Sequence, residues 1–210
     1  MKLTLMASLQ RLMKPLLLAA LIIVSQTVNA DNATAILDKA AAKFNAAGNV
    51  KIGFQLTTEA GSTTGYIDIA GNKFHCDMGG TRVWFDGKTL WDYVKSNEEV
   101  NVTTPSEAET ARLNPYAFIN IYKKGYSLKM GKSTKVYHEV VMTGSKNSTY
   151  KSVVVQLDKK SLKPLYIKTK TAKHTTEVTV NSYLTDQQFP PERFSFNKKE
   201  FPGVDVVDLR

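Results

Sequence analysis

At 210 residues the chain carries 28 basic against 19 acidic side chains, a formal charge of +9, with a single cysteine. The basic excess is spread along the chain in short pairs, Lys123-Lys124, Lys159-Lys160 and Lys198-Lys199, with no long basic block. That pattern argues against a nucleic-acid partner and for solvated surface charge, while Cys76, having no second cysteine, excludes an intrachain disulfide.

The first thirty residues read as a secretory signal peptide. Lys2, Arg11 and Lys14 precede the apolar run from Pro15 to Val24, and small residues lead to Ala30. The run is shorter than the roughly 20 residues of a membrane span. No cysteine follows it to carry a lipid anchor, so a mature chain from Asp31 is expected to be soluble outside the cytoplasm. After residue 30 there remain 25 basic and 19 acidic residues, a charge of +6. About 180 residues suit one domain with a sizeable core.

Residues 31–47 form the one long predicted helix. Asp31 or Asn32 can cap it, Ile36, Leu37, Ala40 and Phe44 make an apolar stripe, and Gly48 can end it. The period then changes to two. Val50, Ile52, Phe54 and Leu56 alternate with polar or small residues, and turns at Ala60-Gly61-Ser62, Ala70-Gly71-Asn72 and Gly79-Gly80 separate successive strands. Phe74, Cys76 and Met78 share one side of the third strand, which makes Cys76 a small buried hydrophobe.

A hairpin follows from Trp84 to Tyr93, turning at Asp86-Gly87 and holding both tryptophans. Large apolar side chains fall on both sides of its pleat, so it must be covered on both faces, by core on one and by something else on the other. One more strand, Glu99 to Thr103, precedes an interruption. Thr104-Pro105-Ser106-Glu107 has capping-box spacing, Asn114-Pro115 starts a second helix, and Tyr116 to Tyr122 is too apolar to stand free. Strands resume at Tyr126 to Met130, Lys135 to Thr143, Tyr150 to Asp158, Leu165 to Thr171 and Glu177 to Tyr183. Phe194-Ser195-Phe196 and Pro202 to Arg210 then suggest a short edge segment and a packed tail.

The expected fold is therefore mainly β, a single-domain unclosed antiparallel barrel or strongly curved sheet. An N-terminal helix and short lid helices would cover an apolar cavity. Catalytic chemistry is poorly supplied. His75, His138 and His174 lack metal-ligand spacing, no phosphate-binding glycine loop or serine elbow occurs, and Asp92 with His75 or His138 is the only raw material for acid–base work. No cofactor is expected. Asn32, Asn101 and Asn147 begin glycosylation-type triplets with no expected meaning in a bacterial secreted chain.

Several stretches resemble the LolA family of periplasmic lipoprotein carriers: Gly65-Tyr66-Ile67, Phe74, the run Phe85 to Tyr93, Asn114-Pro115, and Pro202-Gly203-Val204 to Asp208. The resemblance implies an open barrel under a helical lid and a cavity for lipoprotein acyl chains. It also implies handover partners, an inner-membrane lipoprotein-releasing ABC transporter and an outer-membrane acceptor, with the carrier acting as a monomer without catalysis. Many carriers have an Arg-Pro pair before the residue matching Phe74, whose arginine latches the lid; here the same offset holds Ala70-Gly71. Alternation and lid position nominate Phe54, Met78, Trp84, Trp91, Tyr93, Phe118, Ile119, Tyr122, Met130, Val140 and Met142 as the lipid-binding cavity. For each strand residue ordinary core is the competing reading. A lipid- or lipoprotein-sensing module of the same fold, signalling to a partner without transfer, is the competing function.

Overall fold

The computed structural model describes residues 30, 32–106, 109–110 and 121–210. Residues 32–46 form helix α1. The strands are β1 (Val50–Thr58), β2 (Gly61–Ala70), β3 (Lys73–Met78), β4 (Thr81–Phe85), β5 (Leu90–Val94) and β6 (Glu99–Thr103), then β7 (Tyr126–Met130), β8 (Tyr137–Gly144), β9 (Ser152–Asp158), β10 (Pro164–Lys170), β11 (Thr175–Leu184) and β12 (Asp205–Asp208). They make one sheet in the order β12-β6-β5-β4-β3-β2-β1-β11-β10-β9-β8-β7, with β12 and β7 as its edges among the described residues.

Two local meanders are thus joined through a distant pairing, β1 with β11, in which Phe54 lies opposite Val180. Flat, twelve strands at the usual spacing would extend about 50 Å. A single helix is about 10–12 Å across. Yet α1 residues Ala33, Leu37, Ala40 and Ala41 belong to one buried cluster with side chains of β1 to β5 and of β8 to β11. That is possible only because the sheet curls around the helix, so its inner face is the concave one.

The hairpin loop spans four residues between Phe85 and Leu90, which pair across it. Gly87 takes a φ of +100°, and Asp86 Oδ1 accepts from the backbone N–H groups of Lys88 at 2.9 Å and Thr89 at 2.7 Å. The aspartate therefore organises the turn and has no spare role.

The chain's last stretch determines what lies on the outer face. After β11 it crosses the outside of the sheet through two 3-10 turns, Pro191–Phe194 and Lys198–Glu200. It arrives at the opposite edge, where Asp205 N–H donates to Glu98 O at 3.0 Å. Entering from that end, β12 runs parallel to β6, the one exception to the antiparallel pattern among the described strands. Trp84, Val100, Val102, Phe201 and Val204 form the cluster beneath this tail, with Trp91, Tyr93 and Phe196 against it.

Because strand direction alternates, the turns fall on two rims. Turns 59–60, 79–80, 95–98, 145–151 and 171–174 lie on one, the far rim. Turns 71–72, 86–89, 131–136 and 159–163 lie on the other, the loop rim. The C-terminal end of α1 is at the loop rim too, Ala47 O accepting from Asp186 N–H at 3.2 Å.

Candidate functional site

The interior is built from alternate residues of strands facing α1. Phe54 on β1 is 3% exposed, while Val140 and Met142 on β8 are fully covered. Register explains the alignment: Val140 lies opposite Val155 and Met142 opposite Val153, with Met130 and Leu128 of β7 opposite Val140 and Met142 in turn. Tyr122 joins them, buried beside α1. Met78 and Met130 pack on the same cluster while remaining half-covered. Six of the eleven residues nominated from sequence, Phe54, Met78, Tyr122, Met130, Val140 and Met142, thus converge on one apolar face.

Three others do not. Trp84, Trp91 and Tyr93 point to the outer face, where Trp84 meets Phe196 and Phe201 edge-on at 5.6 Å and Tyr93 meets Phe201 at 5.0 Å. The second covering of the hairpin is the chain's own tail. Alternation makes the two faces distinct, and a tail that lays Phe196 and Phe201 on the sheet takes the more aromatic one. Phe118 and Ile119, with the second helix of the interruption, lie outside the described residues.

The capping box of the interruption lies two residues later than expected. Ser106 Oγ accepts from Glu109 N–H at 3.3 Å, while Glu109 Oε2 accepts from Ser106 N–H at 2.9 Å. The box is therefore Ser106 with Glu109, not Thr104 with Glu107. β6 continues to Thr103 and leaves Thr104-Pro105 as the connector.

Where the interruption returns to the interior, Tyr122 Oη donates to Asp38 Oδ1 on α1. Burial, reinforced by that bond to the carboxylate, raises the Tyr122 phenol well above its ordinary value. It therefore remains a donor at any neutral pH. Ala70-Gly71 merely turns the chain, Gly71 at φ +61°, so Tyr122–Asp38 is a tie between the returning segment and α1 among the described residues. Tyr122→Phe is expected to cost about 1 kcal/mol and to increase uptake of an environment-sensitive apolar dye, which titration of the two proteins will show.

Two cavities sit at the loop rim. One, of about 220 Å³, is lined by Ala40, Phe44 and Ala47 of α1 with Leu157, Leu162, Pro164 and Tyr183, and has Lys43 and Lys163 at its margin. The other, of about 510 Å³, is lined by Leu90, Thr103, Thr104, Pro105, Glu109, Leu209 and Arg210. The α1 stripe was legible in the sequence but not its position. Its contribution to the interior had no local signal.

Polar chemistry is sparse on this face. Asp92 points inward, and burial raises its carboxyl pKa, but His75 points to the outer face with Trp84, so the two cannot act as a pair. Burial pushes the Cys76 thiol up to about 12, which suits the hydrophobe role read from its strand. Among the described residues no three His, Cys, Asp or Glu side chains gather to hold a metal, and no helix is long and apolar enough to cross a membrane.

Comparison with known proteins bears on the fold and the family. An uncharacterized conserved protein from Thermus thermophilus superposes with a TM-score of 0.58 at 11% identity, covering 84% of this chain and 99% of its own. A putative outer membrane lipoprotein-sorting protein domain from Vibrio parahaemolyticus gives 0.47 at 15% identity, covering 82% and 99%. A LolA superfamily protein from Nitrosomonas europaea gives 0.42 at 13%, covering 78% and 97%. A search of curated proteins found no match. The sequence itself matches the family described as outer membrane lipoprotein carrier protein LolA over residues 23–173. With most of its length in that match and a curled, unclosed sheet around an N-terminal helix, this chain belongs to the LolA family of outer membrane lipoprotein carrier proteins.

Proposed function

We propose that the protein is a periplasmic carrier that takes the acyl chains of lipoproteins into the curled interior and moves them from the inner to the outer membrane. The energetic need is large. Each methylene exposed to water costs about 0.8 kcal/mol, so a lipid anchor of ~40 methylenes costs on the order of 30 kcal/mol to leave uncovered. No such group crosses an aqueous space without an apolar container.

The observation that carries the reading is an apolar face continuous from Phe54 through Val140 and Met142 to the edge strand β7. There Leu128 and Met130 remain half-covered. Side chains at an open edge can part without breaking sheet hydrogen bonds, which gives an acyl chain a way in. In this reading residues 1–30 are the export signal, an inner-membrane ABC transporter supplies cargo, and an outer-membrane acceptor receives it.

Incubation with inner-membrane vesicles tests the proposal. The protein should release lipoprotein and co-elute with it on gel filtration. Met130→Asp, placing a charge where the chain would enter, should lower recovery by about tenfold or more while the fold persists, since burying an unpaired carboxylate against methylenes is costly. Absence of any released lipoprotein would overturn the proposal, as would binding of acylated peptide with no transfer onward, the behaviour of a sensor.

A further inference from the structure

The basic residues that look scattered in the sequence are gathered by the fold. Residues 121–175 contain thirteen lysines, no arginine and only two carboxylates, Glu139 and Asp158. This span contributes β7 to β10 and their turns, one wing of the sheet. At the loop rim Lys132 and Lys135 in one turn, and Lys159 and Lys160 in the next, are all exposed. The two turns are tied side by side, Lys159 N–H donating to Val136 O at 2.9 Å.

Val136 stands between these lysines 62% exposed, and Leu184, at the same rim on β11, is 50% exposed. The 220 Å³ cavity lies directly behind. Lys43 Nζ at its margin donates to the carbonyls of Lys160 and Ser161, at 3.4 and 3.2 Å, and not to a carboxylate. Three acids stand beside these lysines on this part of the rim. Asp158 Oδ1 accepts from the N–H groups of Lys160 and Ser161, Glu139 Oε1 accepts from Lys132 N–H, and Asp186 sits against the Gly48 turn. The first two are committed to holding the turns, and lysines outnumber the acids.

We propose that the loop rim is a docking surface for the anionic face of a lipid bilayer. Exposed aliphatic side chains ringed by cations match the layering of that interface, with ammonium groups at headgroup phosphates and apolar tips among the upper methylenes. The exclusive use of lysine on this wing of the rim separates it from a surface built for an acidic protein. Protein interfaces favour arginine, whose planar fork fixes a carboxylate, and are depleted in lysine. A diffuse field of lipid charge needs no such fork. Docking in this way sets the cavity mouth against the membrane, and it requires no lipoprotein, so it is testable apart from the carrier reading.

The test is co-sedimentation of the mature chain with vesicles, phosphatidylglycerol mixed with phosphatidylethanolamine in one set and phosphatidylcholine in the other. Binding is expected to the anionic set only, weakening as salt is raised. Each rim lysine should contribute up to about fivefold, so reversing Lys132, Lys135, Lys159 and Lys160 to Glu together should lower binding at least tenfold. The equal reversal of Lys123, Lys124, Lys170 and Lys173 on the far rim should leave most of it, and Val136→Ser should weaken it without altering net charge. Equal losses from both sets of reversals would overturn the proposal, as would no binding to anionic vesicles or binding to an acidic protein alone. Thermal melts of every variant exclude unfolding as the cause.

Discussion

Replacing Arg193 with methionine is expected to destabilise the protein by about 3–5 kcal/mol, the cost of removing one partner from a buried ion pair. Asp68, on β2, points to the outer face and has no solvent exposure. Arg193 crosses from the tail to meet it, Nε donating to Oδ2 at 2.7 Å and Nη2 approaching the same oxygen at 2.5 Å. Arg193 also donates to Tyr66 Oη at 3.2 Å. Lys51 Nζ stands 3.7 Å from the other carboxylate oxygen and is 39% exposed. It can replace little of what the arginine supplies.

The loss would be felt beyond the pair. Arg193 lies in the turn preceding Phe196 and Phe201, which cap Trp84. Freeing the tail should therefore shift tryptophan emission to the red under conditions where the rest of the sheet stays folded. A double variant, Asp68→Leu with Arg193→Met, should recover most of the lost stability, because it removes the uncompensated charge as well as its partner. Urea denaturation of the three proteins decides the matter. A cost below about 1 kcal/mol for Arg193→Met would place this pair with surface salt bridges.

The second large effect is an acid limb in stability that belongs to His75. This side chain is 3% exposed on β3, between Tyr66 and Trp84 at ring distances of 5.8 and 5.4 Å. Its Nδ1 is buried with no hydrogen-bond partner. Burial, and then the positive charges of Arg193, Arg82 and Lys51, lower its pKa to about 3. In the unfolded chain histidine titrates near its ordinary value of about 6.5. The unfolded state therefore takes up the proton first as pH falls.

The contribution is full above about pH 6.5. It declines by about 1.4 kcal/mol per pH unit below that, until native His75 itself protonates near pH 3. His75→Leu, close in volume and unable to titrate, should flatten the stability profile between those limits, while the carboxylates act alike in both proteins and cancel in the difference. Parallel profiles from denaturation at pH 7, 6, 5 and 4 would show instead that the imidazole is protonated in place.

Both predictions concern the outer face, which is where reading from sequence and the three-dimensional arrangement part most clearly. Alternation in Val50 to Leu56, turn residues such as Gly71 and Gly87, and the stripe on α1 are local properties. A chain with them has few choices but helix, meander and hairpin, and these were determined by sequence alone. So was the doubly apolar character of Trp84 to Tyr93, since side chains two apart share a face whatever surrounds them.

Which face turns inward was decided elsewhere. Phe54 and Met142 line the interior because β1 pairs with β11, more than a hundred residues on, and so curls two meanders around one helix. The tryptophans are outside because a tail from beyond β11 crosses over them and ties to Asp68 through Arg193. The lysines form a rim only once antiparallel pairing brings turns 131–136 and 159–163 to the same end of the sheet. Each depends on contacts between residues far apart in the chain, whose pairing minimises exposed apolar surface over the whole molecule. No window of neighbouring residues contains that quantity.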